Sequence, residues 1–310
     1  MTEKAFPTSF GTIHLNHLVE TFILVLLLIL IPHFAFAEEQ EALEDIAQVG
    51  EGHYTCAYDG IRHAFIVDLP EKVDGAPLIL MLHGYGGSAE SFRAETAFEK
   101  EANPLGYAVV YVTGAPNPDD KTSSNAWNSG IGSSPNRDVE FLIALANYLQ
   151  QEYRLDKQRT VAVGYSNGAF MAHRLALEAS STFSAVVSVA GTVPASIWNE
   201  RNDHVSVGLL QVTGEKDDVI PKHSDGSAGY AKEPAIEDVI EYYVTANGFE
   251  VQEVQNAGKK SVLTKYGSPA SDRQVWHLLV KNGRHSWSGE RVTGINTNRL
   301  ILEYLGTQIR

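Results

Sequence analysis

Between residues 161 and 179 the chain passes from strand to helix with almost no room to do so. Residues 161–163 are an apolar strand run and residues 169–179 read as an apolar helix. Only Gly164-Tyr165-Ser166-Asn167-Gly168 lies between them. A turn that short, with glycine at both ends, is one in which two backbones can pass closely. A strand feeding directly into a helix is half of a β-α-β crossover, so this segment alone points to a parallel sheet. The rest of the chain repeats the alternation. Residues 64–69, 78–82, 108–112, 185–189, 209–212 and 275–280 read as strands. The runs at 78–82 and 108–112 are continuously apolar, the pattern of strands buried on both faces. Residues 90–102, 139–153, 236–246 and 298–305 read as helices, with Ser88 and Asp138 as start signals for the first two. This order predicts one α/β domain, a mostly parallel sheet with helices on both faces. Ligand sites in such sheets gather at the carboxyl ends of the strands. Residues 113–137 are a long irregular stretch, which in a compact domain predicts a functional loop.

The first 37 residues stand apart. Residues 22–31 are an unbroken apolar run, shorter than the roughly 20 residues of a membrane span. Ala35-Phe36-Ala37 follows as a small-x-small site, and then the polar Glu38-Glu39-Gln40. Together these read as a secretory signal peptide cleaved after Ala37, placing the protein in the periplasm or outside the cell. The segment before the run carries only Lys4 as a positive charge, against Glu3 and Glu20, so an uncleaved anchor is the competing reading. Residues 38–51 are read as a lead segment and 52–310 as the single folded domain. The full chain has net charge −14, and loss of Glu3, Lys4 and Glu20 with the leader leaves −13. So acidic a protein disfavours nucleic acid and anionic membrane as partners. Cys56 is the only cysteine, so no intrachain disulfide can form. It sits just before a strand with no accompanying histidine motif and is expected to be a buried, inert thiol.

The chemistry is carried by loops that follow strands. G-x-S-x-G between an apolar strand and a helix is the nucleophile elbow of α/β hydrolases, which makes Ser166 the candidate nucleophile. A serine hydroxyl needs a base, and in this fold the partners follow in the order serine, acid, histidine. His285, in Asn282-Gly283-Arg284-His285, lies on a loop after the last strand, where that base belongs. Glu215, Asp217 and Asp218 all lie on the loop after the strand at 209–212, and spacing does not choose among them. An oxyanion hole calls for the N–H of Asn167 and a second N–H from the loop after an early strand. Leu82-His83-Gly84-Tyr85-Gly86-Gly87 fits, with Tyr85 preferred over Gly84. His83 is read as packing beneath that loop. Trp127 and Trp287 are candidates for lining a substrate pocket, with plain packing the equal alternative. The histidines show no ligand spacing such as H-E-x-x-H, and no metal or cofactor is expected.

The set His83-Gly84-x-Gly86-Gly87, Gly164-Tyr165-Ser166-Asn167-Gly168-Ala169, Gly214-x-x-Asp217-x-x-Ile220-Pro221 and His285-Ser286-Trp287-x-Gly289 resembles the polyhydroxybutyrate depolymerase and feruloyl esterase family of secreted α/β-hydrolase esterases. The resemblance runs from about residue 52 to 305. It implies Asp217 as the acid, and it implies hydrolysis of carboxylic esters through an acyl-enzyme. The ester is feruloyl- or acetyl-type, or a hydroxyalkanoate, small or polymeric. An aspartate opening a helix also belongs to the pattern and is matched by Asp138, read as supporting the site rather than joining the triad. The chain departs from the family in lacking a cysteine pair and in showing no linker with a substrate-binding domain. Thr213 stands where the family has histidine, and Trp287-Ser288-Gly289 where it has Trp-Pro-Gly. These differences weigh against polymer degradation more than against ester hydrolysis. A serine peptidase of the same fold is the rival enzyme. A non-catalytic carbohydrate- or polymer-binding protein that kept the fold is the rival from another class.

Overall fold

A computed structural model describes residues 1–2, 42–116, 118, 121–132, 134–202, 205–220, 234–249, 251–259, 261–267 and 271–308. The apolar run at 22–31 and the expected cleavage point after Ala37 lie outside the described residues. Everything below belongs to the unit Glu41–Arg310. Among the described residues, no helix is long and apolar enough to cross a membrane.

Among the described residues, eleven strands form one sheet: β1 (Glu44–Gly50), β2 (His53–Tyr58), β3 (Ile61–Asp68), β4 (Leu78–Leu82), β5 (Ala108–Thr113), β6 (Thr160–Tyr165), β7 (Ala185–Val189), β8 (Gly208–Gly214), β9 (Val251–Ala257), β10 (Ser261–Tyr266) and β11 (Val275–Val280). Their spatial order is β1-β2-β3-β5-β4-β6-β7-β8-β11-β10-β9. The six central strands, in the order β5-β4-β6-β7-β8-β11, run parallel to one another. The strands flanking them on both sides pair antiparallel. This is the α/β-hydrolase fold. Its helices are α1 (Ala89–Thr96), α2 (Glu99–Ala102), α3 (Asp138–Glu152), α4 (Asn167–Glu178), α5 (Ala195–Glu200), α6 (Ile236–Ala246), α7 (Glu290–Thr293) and α8 (Thr297–Gln308).

The apolar runs explain the layering. Side chains alternate across a strand. Leu78, Leu80 and Leu82 therefore join Leu142, Leu145 and Leu149 of α3 and Met171 and Leu175 of α4 in one core. Ile79 and Met81 face the other way, into a second core with Phe92, Phe98, Ile301 and Leu305. Both faces of the sheet are thus covered, as continuously apolar strands require.

Two features depart from the sequence reading. The helix expected at 90–102 is broken: Ala97 adopts the left-handed conformation (φ 44°) and ends α1, with its N–H on the Arg93 carbonyl. The break buries Phe98, whose N–H donates to the Tyr111 hydroxyl (3.0 Å), while that hydroxyl donates to Glu99 (2.8 Å). These tertiary contacts outweigh the helical propensity of the run. The polar outer strands β1, β2, β9 and β10 were not expected. Glu44–Gly50, inside the supposed lead segment, pairs with β2 as an edge strand. Its side chains are mostly exposed, so it carries no apolar alternation to read.

Candidate active site

The turn after β6 is built by close approach. A Cβ at Gly164 would lie 2.0 Å from the Gly168 carbonyl oxygen, and one at Gly168 would lie 2.1 Å from that of Leu82. Only glycine fits either place. Ser166, between them, has φ 52° and ψ −117°, a costly backbone conformation for a residue with a side chain. Its N–H donates to the Val189 carbonyl on β7 (3.0 Å), and its own carbonyl accepts the N–H groups of Ala169 and Phe170. The strain is therefore held in place from both sides. Behind the turn, α4 is anchored by His173. Its Nε2 donates to Gln211 Oε1 on β8 (3.0 Å), and its Nδ1 accepts from the Tyr243 hydroxyl on α6 (3.3 Å). Burial pushes His173 down to about 4, so the imidazole is neutral there.

His285 and Asp217 arrive from the ends of two paired parallel strands, β11 and β8. His285 Nε2 lies 2.9 Å from Ser166 Oγ, and its Nδ1 lies 3.0 Å from Asp217 Oδ2. A carboxylate only accepts, so Nδ1 carries the proton and Nε2 is left to accept the serine hydroxyl. The Asp217 side chain is 1% exposed. Its other oxygen accepts the N–H groups of Val219 (2.9 Å) and Ile220 (2.7 Å). The three acidic candidates are thus separated by geometry. Glu215 pairs with Lys281 and the Asn282 N–H, which lowers its pKa, and Asp218 is exposed.

The loop after β4 stands beside the serine: a Cβ at Gly84 would sit 3.3 Å from Ser166 Cβ. His83 is buried beneath that loop, as expected. Its Nδ1 donates to the Gly84 carbonyl (2.6 Å), and its Nε2 accepts the Gly114 N–H (3.0 Å). Burial lowers its pKa to about 4 and keeps it neutral. Tyr85 is 58% exposed at the mouth of the site, with its hydroxyl on Thr122 Oγ1 (3.0 Å). Asn167 opens α4, so its N–H belongs to the first helical turn, where intrahelical partners are lacking.

A cavity of about 350 Å³ adjoins Ser166 and Asn167. Its walls include Tyr85, Trp127, Ile131, Asn136, Phe170 and Ile220. Trp127 is therefore both packed, at 3% exposure, and part of the wall. Trp287 is not among the lining residues. It packs edge-on against Phe92 and near Tyr165, with its indole N–H on Asn298 Oδ1 (3.0 Å). Sequence reasoning named neither Ile131 nor Asn136, although both lie in the irregular stretch 113–137 that it marked as functional. Asp138, the first residue of α3, is buried and accepts the Asn128 N–H (2.6 Å). Burial raises its pKa to about 6. Among the described residues no three His, Cys, Asp or Glu side chains come together as a possible metal site.

The family model described as a putative esterase matches residues 57–285. The chain belongs to this esterase family. The match takes in the Ser166 turn, the Asp217 loop and His285. Among curated relatives, the esterase is 29% identical to the putative esterase NocK of Nocardia uniformis over 71% of this chain and 68% of that one. It is 28% identical to feruloyl esterase B of Neurospora crassa, over 41% of this chain and 43% of that one. Among solved structures, an acetyl xylan esterase from Aspergillus awamori superposes with TM-score 0.60 at 11% identity, over 86% of this chain and all of the other. The pOPH structure superposes with TM-score 0.57 at 18% identity, over 87% of this chain and 90% of the other. At such identities the superpositions speak for the fold alone. The esterase is a hydrolase of the α/β-hydrolase type.

Proposed function

We propose that this esterase cleaves carboxylic esters by a serine mechanism, with Ser166 as nucleophile, His285 as base and Asp217 as its orienting acid. The observation that carries this reading is the chain of two hydrogen bonds, 2.9 and 3.0 Å, linking the serine hydroxyl through the imidazole to the carboxylate. Ser166 Oγ attacks the ester carbonyl carbon as its proton passes to His285 Nε2. The carbonyl oxygen becomes an oxyanion held by the main-chain N–H groups of Asn167 and Tyr85. The tetrahedral intermediate collapses, the C–O bond breaks, and His285 returns the proton to the departing alcohol. Water then repeats the sequence on the acyl-enzyme and releases the acid.

The substrate class we propose is an acyl ester of the feruloyl or acetyl type, or a hydroxyalkanoate ester, small or polymeric. The curated feruloyl esterase relative supports the first, and the sequence motifs support all three. The cavity beside Ser166, with Trp127 and Phe170 among its walls, has room for an acyl group much larger than acetyl. We further infer from the N-terminal pattern that the protein works in the periplasm or outside the cell.

The test compares wild type with Ser166→Ala on p-nitrophenyl acetate, methyl ferulate, acetylated xylan and hydroxybutyrate oligomers, with fluorophosphonate labelling in parallel. The variant is expected to lose activity by about four orders of magnitude or more and to lose labelling. Wild-type turnover by Ser166→Ala would overturn the mechanism. Turnover of one substrate in the panel well above the rest would fix the class.

A further inference from the structure

The two sides of the proposed oxyanion site come from segments about 80 residues apart, the loop after β4 and the turn after β6. Their strands pair, with Leu82 opposite Gly164 as the last ladder pair. Beyond it the two segments stay in packing contact, a Cβ at Gly84 lying 3.3 Å from Ser166 Cβ, with no main-chain hydrogen bond between them among the described residues. Trp127 hydrogen-bonds to both. The main-chain N–H of Trp127 donates to Asn167 Oδ1 (2.7 Å), and its carbonyl accepts from Asn167 Nδ2 (3.3 Å). Its indole N–H donates to the His83 carbonyl (2.9 Å), two residues before Tyr85. The ring is 3% exposed and lies over the His83 imidazole at 5.2 Å.

The segment around Trp127 is fastened on both flanks. Asn125 accepts the Gly86 N–H at its carbonyl (2.7 Å), and its side chain donates to the Gly87 carbonyl (2.9 Å). Ser129 Oγ accepts from Asn167 Nδ2 (3.0 Å). The Asn128 N–H is held by the buried Asp138 carboxylate (2.6 Å), and its carbonyl by Arg174 of α4. A loop that only covered a pocket would not need a hydrogen bond to each side of the anion site from a single residue.

We propose that Trp127, clasped by the Asn167 side chain, is a positioning residue that sets the separation of the two oxyanion donors. It lines the cavity beside Ser166, but its hydrogen bonds go to Asn167 and His83 and not to the triad. Donors for a developing oxyanion act only at hydrogen-bond distance from its final place, and an error near 1 Å costs about a hundredfold in rate. The inference rests on the serine-ester reading above.

The test uses full-length protein and a soluble ester. Trp127→Phe keeps an aromatic ring and the main-chain clasp but deletes the indole N–H. Asn167→Ala keeps the main-chain N–H but deletes the clasp. Each is expected to lower kcat by about ten- to a hundredfold with KM changed less than about threefold. Affinity for a phenylboronic acid, which forms a tetrahedral adduct on the serine, should fall in parallel. The double variant should lose little beyond the worse single, because both break one brace. Asn167→Asp, which keeps the acceptor for the Trp127 N–H, should recover part of the loss. If Asn167→Ala does not fold, Trp127→Phe and Asn167→Asp decide alone. Unchanged kcat in folded variants, a shift confined to KM, or fully additive losses would overturn the brace. A dead Ser166→Ala beside an unaffected Trp127→Phe defeats the brace only, whereas an active Ser166→Ala defeats the reading beneath it.

Discussion

Asp217 divides its carboxylate between two tasks: one oxygen faces His285 Nδ1 at 3.0 Å, and the other is tied to the N–H groups of Val219 and Ile220. The backbone thus fixes the carboxylate, and the carboxylate fixes the imidazole. An amide in its place presents a donor where His285 needs an acceptor, which favours the wrong tautomer. Asp217→Asn is therefore expected to lower kcat by about 10⁴ while leaving the protein folded. Asp218→Asn and Glu215→Gln, on the same loop but away from His285, should stay within a few-fold of wild type. Steady-state kinetics on one ester separates the three.

The glycines of the site should divide by function. Gly168→Ala puts a methyl group against the Leu82 carbonyl. Backbone on both sides leaves nothing to give way, so the expected cost exceeds about 3 kcal/mol, the upper range for overpacking. Gly84→Ala meets only Tyr165 and Ser166 side-chain atoms at 3.2 to 3.4 Å. That variant should fold with little change in Tm yet lose activity, because the intruding methyl presses on the serine. Thermal melts beside kinetics test the contrast; equal melting losses in both would contradict it.

Acid should unfold the protein through its buried histidines. Burial lowers His63, His83 and His173 from 6.5 to about 4. The unfolded chain then binds more protons between those values, so stability is full above pH 6.5 and is lost as pH falls toward 4. Asp138 runs the other way. Burial raises it from 3.8 to about 6, so its part of the stability falls as pH rises through that window. The Tm difference between wild type and Asp138→Asn, followed from pH 4 to 7, should therefore move against wild type. Urea melts across the same range should show the larger opposite trend of the histidines.

Trp287 sits behind the site and not on the cavity wall. Trp287→Phe keeps an aromatic ring near Phe92 and loses the hydrogen bond to Asn298. About 1 kcal/mol of stability should be lost, with kcat/KM within about threefold of wild type for small and large esters alike. A substrate-dependent loss of activity would place the residue in the binding site after all.

Much of this was legible in the chain because it depends on neighbours in sequence. A glycine two residues on either side of Ser166, an apolar strand before it and an apolar helix after it are local facts. They require a close β-α turn wherever the segment folds. Unbroken apolar runs likewise require a sheet covered on both faces, and residues 185–189, 236–246 and 275–280 form their elements at the expected bounds. Tertiary structure decided whatever turns on which distant group comes within 3 Å. Three carboxylates share one loop, and by spacing alone they are equivalent. Asp217 differs because the loop turns it inward onto His285, while Glu215 is drawn to Lys281. Two tryptophans looked alike from their surroundings in sequence. Trp127 meets Asn167 and His83, and Trp287 meets Phe92 and Asn298. The left-handed break at Ala97 was hidden for the same reason, because Phe98 after it is held by the Tyr111 hydroxyl from β5. The edge strand Glu44–Gly50 was hidden because its exposed side chains carry no apolar alternation, and only its pairing with β2 makes it a strand.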